Sequence, residues 1–147
     1  MNDSVAQRGR ELFVSGYCCA EASLLAIAES KGIHSELIPK IATGFCGGVA
    51  RTRGMCGALS GGIIAINLWY GRNTPDVSHD QNYAMIQKLL RTFQEQFGAT
   101  SCYELLGCDL GTEEGRRYHK EHNLRPQCEN YVQEATRLAL GIIDAQG

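Results

Sequence analysis

Met55-Cys56-Gly57-Ala58-Leu59-Ser60-Gly61-Gly62-Ile63-Ile64-Ala65-Ile66-Asn67-Leu68-Trp69 runs without a proline and closes shortly before Gly71. It is apolar almost all the way round a helix, which predicts a buried helix at the centre of the molecule. Its glycines repeat at helical spacing. Gly57 and Gly61 share one face, and Ala58 and Gly62 share another. A glycine inside a helix costs about 1 kcal/mol relative to alanine, so these faces need a reason. Close approach of a second backbone and close approach of a cofactor both supply one, and the two are compatible.

Working outward, the flanking segments also read as helices. Upstream, Gly44–Gly54 is a glycine-rich loop. Before it come predicted helices over about Ser35–Thr43, Cys18–Lys31 (stopped by Gly32) and Asp3–Val14 (stopped by Ser15-Gly16). Downstream, Asn73-Thr74-Pro75-Asp76 is a turn. An amphipathic helix then covers Ser78–Phe97, with Met85, Ile86, Leu89, Leu90 and Phe93 on one face and Gly98 as its stop. Ser101 and Glu104 form a capping-box pair for a short helix ended by Gly107. A further piece begins at Thr112 and reaches about His122. The last helix starts at Pro126, a favoured first position, and runs to about Ala145. Only Pro39, Pro75 and Pro126 interrupt the chain, and Val and Ile never cluster into an alternating strand. The fold class is therefore all-α: a compact multi-helix bundle around one apolar central helix, with residues 1–147 as a single domain. A chain of 147 residues is large enough to bury a core without a disulfide or metal for folding.

Composition narrows the function. Hydrophobic residues make up 44% and charged residues 20%, with a formal net charge of −2. That balance points to neither a nucleic-acid partner nor an anionic membrane surface. The apolar stretch Ile63–Tyr70 is well short of the roughly 20 residues that span a bilayer. Met1-Asn2-Asp3-Ser4 carries neither the basic nor the apolar region of a secretory signal, so a cytoplasmic location is expected.

Seven cysteines stand out: Cys18, Cys19, Cys46, Cys56, Cys102, Cys108 and Cys128. An odd number cannot pair completely within one chain, and many cysteines in a reducing compartment suggest metal or redox chemistry. Cys19, Cys56, Cys102 and Cys128 each fall in the first turn of a predicted helix. The positive end of a helix favours an anion there, which would lower a thiol pKa and yield the thiolate that attacks or binds metal. Arg51 and Arg53, just before Cys56, would act in the same direction. For any one cysteine taken alone, plain packing as a small hydrophobe explains as much. Cys18 cannot face the same way as Cys19, and Cys19 is the better candidate. Cys46 reads as a spare thiol or resolving partner, and Cys108 as a packed residue. His119 and His122 could touch one metal, but with Lys120 and Glu121 between them they read as a solvated face. There is no CxxC, no CxxCH and no phosphate-binding glycine motif.

The same residues carry a resemblance. Gly16-Tyr17-Cys18-Cys19-Ala20-Glu21-Ala22, Gly44-Phe45-Cys46-Gly47-Gly48, Cys56-Gly57-Ala58-Leu59-Ser60-Gly61, Cys102 with Leu105-Leu106-Gly107, and Cys128 together resemble the C-GCAxxG-C-C family of redox-active proteins. The match covers nearly the whole chain. The family is also similar to a domain of the split-Soret cytochromes c, although their haem part has no counterpart here. The resemblance implies that Cys19, Cys56, Cys102 and Cys128 act as a set and that Cys18, Cys46 and Cys108 are extras. Cys46 stands where the family pattern has glycine. It names a chemistry rather than a pathway, and it implies an iron–sulfur centre. Four thiolates suit a 2Fe–2S cluster serving electron transfer or redox sensing, although the intervals between them match no ferredoxin run. The alternatives are metal-free thiol–disulfide chemistry, a zinc site and an interaction module whose cysteines are only core. An unidentified redox partner protein is expected, the apolar helix faces could serve a homodimer, and a role as an oxidoreductase component stays open.

Overall fold

A computed structural model describes residues 2–146. Among them the helices are α1 Asn2–Ser15, α2 Cys19–Ser30, α3 Cys46–Val49, α4 Gly57–Tyr70, α5 Asp80–Phe97, α6 Cys102–Leu106, α7 Glu113–Glu121 and α8 Arg125–Ala145, with a 3-10 helix over Lys40–Phe45. No strand occurs among the described residues, and Met55 and Ser101 form an isolated antiparallel bridge. The fold is all-α, as the sequence predicts.

The helix signals act locally as expected. The Ser101 hydroxyl accepts from the Glu104 amide at 3.1 Å, and the Thr112 hydroxyl accepts from the Gly115 amide at 2.9 Å. Gly98 and Gly107 close α5 and α6 in the left-handed conformation, with φ of +86° and +71°. The helix predicted over Ser35–Thr43 does not form. Turns precede Pro39, and the helical residues are the 3-10 segment Lys40–Phe45. Proline disfavours a helical conformation in the residue before it and donates no backbone hydrogen bond.

Helix α4 packs on α2, α5 and α8, and α1 closes the bundle against α2 and α8. Leu24, Ile27, Leu59, Ile66, Leu89, Phe93 and Val132 are fully buried between them. The apolar face of α8 repeats through Val132, Ala135, Thr136, Ala139, Leu140 and Ile143 at helical spacing. Two buried polar side chains between the helices are paired. Thr136 donates to the Val132 carbonyl at 2.7 Å, and Asn82 donates to Asn67 Oδ1 at 2.8 Å. No described helix is long and apolar enough to cross a membrane.

The glycines of α4 answer the question raised by their spacing. A Cβ on Gly61 would collide with Ser23 Oγ and the Ala20 carbonyl of α2. A Cβ on Gly62 would sit 3.2 Å from Ala139 Cβ of α8. Ser23 donates to the Ala58 carbonyl at 3.0 Å, tying the two close backbones together. Gly61 and Gly62 therefore serve helix packing. Gly61→Ala should destabilise the protein by about 1–3 kcal/mol, as overpacking does. Gly44→Ala meets open space without positive φ and should change stability by less than about 0.5 kcal/mol. Urea denaturation of both variants makes the comparison.

Candidate metal centre

The four cysteines singled out by sequence all stand at helix starts. Cys19 is the first residue of α2, Cys56 is the N-cap of α4, Cys102 opens α6, and Cys128 lies in the first turn of α8. They line one cavity of about 510 Å³ together with Cys18, Cys46, Arg51, His119, Arg125 and Tyr131. Backbone pairing fixes two of them side by side. The Cys56 amide donates to the Thr100 carbonyl at 2.7 Å, and the Cys102 amide donates to the Gly54 carbonyl at 2.9 Å. Bare glycines make room for the side chains. A Cβ on Gly57 would overlap the Cys19 sulfur, and one on Gly48 would lie 2.7 Å from Cys102 Cβ. Among the glycines of α4, Gly57 is thus the one that serves the site itself.

Burial, not the helix ends, dominates the electrostatics. Cys56 and Cys102 are buried, and Cys19 and Cys128 are half-buried. Burial pushes the Cys102 thiol up to about 11 and the Cys128 thiol up to about 12. Burial also raises Cys19 and lifts Cys56 well above its ordinary value. The sulfurs reinforce one another. Cys19, Cys102 and Cys128 each push Cys56 up further. The backbone amides of Gly47, Ala20, Cys19 and Gly57 favour a Cys19 anion, and the Arg125 guanidinium favours a Cys128 anion, but burial outweighs both. The sequence expectation of lowered thiol pKa values is therefore corrected. A helix end stabilises a charge by at most about 2 kcal/mol, whereas full burial shifts a pKa by as much as 3–5 units.

The loop leading into α4 is strained where it meets the cavity. Gly47, Gly48, Val49, Ala50 and Arg51 all have positive φ, as does Arg53. Left-handed geometry is costly for a β-branched residue such as Val49. The conformation is held by its own hydrogen bonds. The Gly48 carbonyl accepts from the amides of Thr52 and Gly54, and Thr52 Oγ1 donates to the Val49 carbonyl at 2.7 Å. Arg53 pairs with Asp109 at 2.9 Å and lies over the Tyr103 ring. The result aims the Gly47 amide at the Cys19 sulfur.

A family model described as "Putative redox-active protein (C_GCAxxG_C_C)" matches residues 17–142. The chain belongs to this family. An uncharacterized protein of Archaeoglobus fulgidus is 29% identical over 154 residues, covering 98% of this chain and 96% of its own length. No solved structure matches.

Several residues of this C_GCAxxG_C_C protein were not legible as part of the site. His119 reads in sequence as solvated, but its Nε2 lies 3.7 Å from the Cys128 sulfur. Burial and then Arg125 lower its pKa, which favours the neutral ring. Cys18 and Cys46 are joined in a disulfide with Cα atoms 5.9 Å apart. Cys18 therefore reaches the cavity wall beside Cys19, and Cys46 has a partner other than Cys56. No local spacing signals either contact. Cys108 is buried against Cys102 and Leu106, consistent with its reading as a packed residue. Among the described residues, the one group of three or more metal-type donors with ligand atoms mutually within 4.8 Å is Cys18, Glu21 and Cys46. The four-cysteine set is spread more widely.

The raised thiols carry a linkage to stability. In the reduced, metal-free protein, unfolding exposes thiols that ionise near pH 8.5, while the folded state keeps them protonated. Above that pH the unfolded state binds fewer protons, so stability falls as pH rises toward 11–12. Chemical denaturation between pH 7 and 11 should show this decline, and Cys128→Ala should show a shallower one.

Proposed function

We propose that Cys19, Cys56, Cys102 and Cys128 hold an iron–sulfur cluster of the 2Fe–2S type, and that the protein uses it to transfer or sense single electrons. The observation that carries this reading is the convergence of four free thiols, from four separate helix starts, on one cavity. When bound, such a cluster supplies one-electron chemistry.

The protonation state of the thiols discriminates between chemistries. A thiol with a pKa near 11 is ionised in only about one molecule in ten thousand at pH 7. That makes Cys102 and Cys128 poor attacking groups, because the thiolate is the nucleophile, and burial pushes Cys19 and Cys56 in the same direction. A metal centre reverses the logic, since a coordinating thiol is deprotonated by the bound cation. Buried neutral thiols around a cavity suit a cationic core that displaces their protons. The spread of the sulfurs also bears on the choice of centre. A single tetrahedral zinc with bonds of 2.3 Å needs ligand sulfurs roughly 3.8 Å apart, and no three of these four lie within 4.8 Å of one another among the described residues. A wider set fits a centre with more than one metal.

The surrounding groups have definite tasks. The amides of Gly47, Ala20 and Gly57 face the Cys19 sulfur, and Arg125 offsets negative charge near Cys128. His119 Nε2 is placed to donate to the Cys128 sulfur once that sulfur is an anion. Hydrogen bonds to ligand sulfurs tune reduction potential. A second reading, thiol–disulfide exchange, draws on the Cys18–Cys46 bond at the cavity wall. In either case the redox partner is another protein, and a reducing cytoplasm is the expected setting.

Anaerobic reconstitution should give a brown protein with about two irons and two sulfides per chain, and Cys56→Ser should lose that colour. A colourless wild type with neither iron nor sulfide after reconstitution overturns the proposal. His119→Ala should retain iron and sulfide but show a lower midpoint potential by protein-film voltammetry, because a donor to ligand sulfur is lost.

A further inference from the structure

We propose that Cys18, Glu21 and Cys46 form a second metal site, separate from the four-cysteine set, which exists only when the Cys18–Cys46 bond is reduced and which takes a thiophilic divalent cation of the zinc class. It does not rest on the iron–sulfur reading.

The first support is geometric. With Cys18 and Cys46 joined, a Glu21 carboxylate oxygen lies within 4.8 Å of both sulfurs, and all three residues are half-buried. A cation can therefore reach them from solvent, and water can complete the coordination. The second support is orientation. Glu21 Oε1 accepts from the Cys18 amide at 3.0 Å, and Glu21 Oε2 accepts from the Thr43 hydroxyl at 2.6 Å. These two contacts hold the carboxylate beside the sulfurs, as partners of metal ligands commonly do. The third support is chemical. Neither sulfur of the disulfide can offer a thiolate, so oxidation abolishes the site, whereas reduction gives two thiols whose protons a bound cation displaces.

The donor set selects the ion. Calcium and magnesium take six or more oxygen ligands, and only one residue here supplies oxygen. Two thiolates and a carboxylate match zinc, which accepts sulfur and carboxylate donors in four-coordinate geometry. The reaction balances without an unnamed reagent. A dithiol reduces the Cys18–Cys46 bond, giving two protein thiols and the reductant's own disulfide. Binding of the divalent cation then releases the two thiol protons to water.

The site adjoins the four-cysteine cavity directly. Cys18 precedes Cys19, and Cys46 precedes Gly47, whose amide faces the Cys19 sulfur. Both cysteines also line the cavity. Opening the disulfide thus alters the wall next to Cys19.

Anaerobic titration with Co²⁺, read by thiolate-to-cobalt absorbance and by cobalt content, tests the proposal. The oxidised sample is first shown by peptide mapping to carry the Cys18–Cys46 link. Reduced wild type should bind one more equivalent of Co²⁺ than the oxidised protein. That difference should vanish in Cys46→Ser, persist in Cys56→Ser, and weaken at least about tenfold in affinity in Glu21→Gln. Equal cobalt binding by oxidised and reduced protein overturns the proposal, as does a redox-dependent equivalent that survives in Cys46→Ser. Iron and sulfide content of the wild type reports separately on the four-cysteine set, so the two readings stand or fall independently.

Discussion

The contact between α2 and α4 is the constraint on which the rest depends. It is a backbone-to-backbone contact, possible because Gly61 has no side chain where the Ala20 carbonyl and Ser23 pass. The Ser23 hydroxyl then bridges to the Ala58 carbonyl at 3.0 Å. With the two helices this close, their N-terminal ends are close too, and Gly57 leaves room for the Cys19 sulfur. The same glycine pattern thus packs the core at one level and shapes a binding cavity one turn away. α8 completes the arrangement by burying one face on α1, α2, α4 and α5 while carrying Cys128 to the shared opening.

The site shows two electrostatic effects in opposition. Backbone amides at Cys19 and Cys56 and the Arg125 guanidinium at Cys128 favour thiolates, but removal from water disfavours them, and removal from water wins at all four sulfurs. Partial positive charge from backbone amides is too weak to ionise a buried thiol alone. It can still matter once a cation is present, because the same amides then meet sulfur that already carries negative charge. The strained turn over Gly47–Arg51 belongs to this logic. Its unfavourable backbone angles place one more amide against Cys19, and its hydrogen bonds within the turn and to neighbouring residues keep it there.

Much of this was readable in the sequence, for identifiable reasons. Helix order followed from glycine stops, capping residues and one long apolar run, all of which act within a few residues. Cys19, Cys56, Cys102 and Cys128 stood out because each falls at a helix start, a local property. What was hidden depends on contacts that no single helix signals. His119 sits among charged neighbours, and the turn from α7 into α8, where the Leu124 amide donates to the His119 carbonyl at 3.1 Å, brings it to Cys128. Cys18 and Cys46 meet because the 3-10 segment returns the chain to the start of α2. The absent helix before Pro39 is the exception, because the signal against it is local: proline disfavours a helical conformation in the residue that precedes it.

The four free cysteines of the cavity come from segments spread across almost the entire chain, and the last of them rides on the helix that seals the core. During synthesis on the ribosome, the first three sulfurs emerge well before the fourth. No early fragment encloses the chamber, because Arg125, Cys128 and Tyr131 of α8 form part of its lining. A guest enclosed by this chamber is therefore enclosed only once α8 has been made and packed against the other helices.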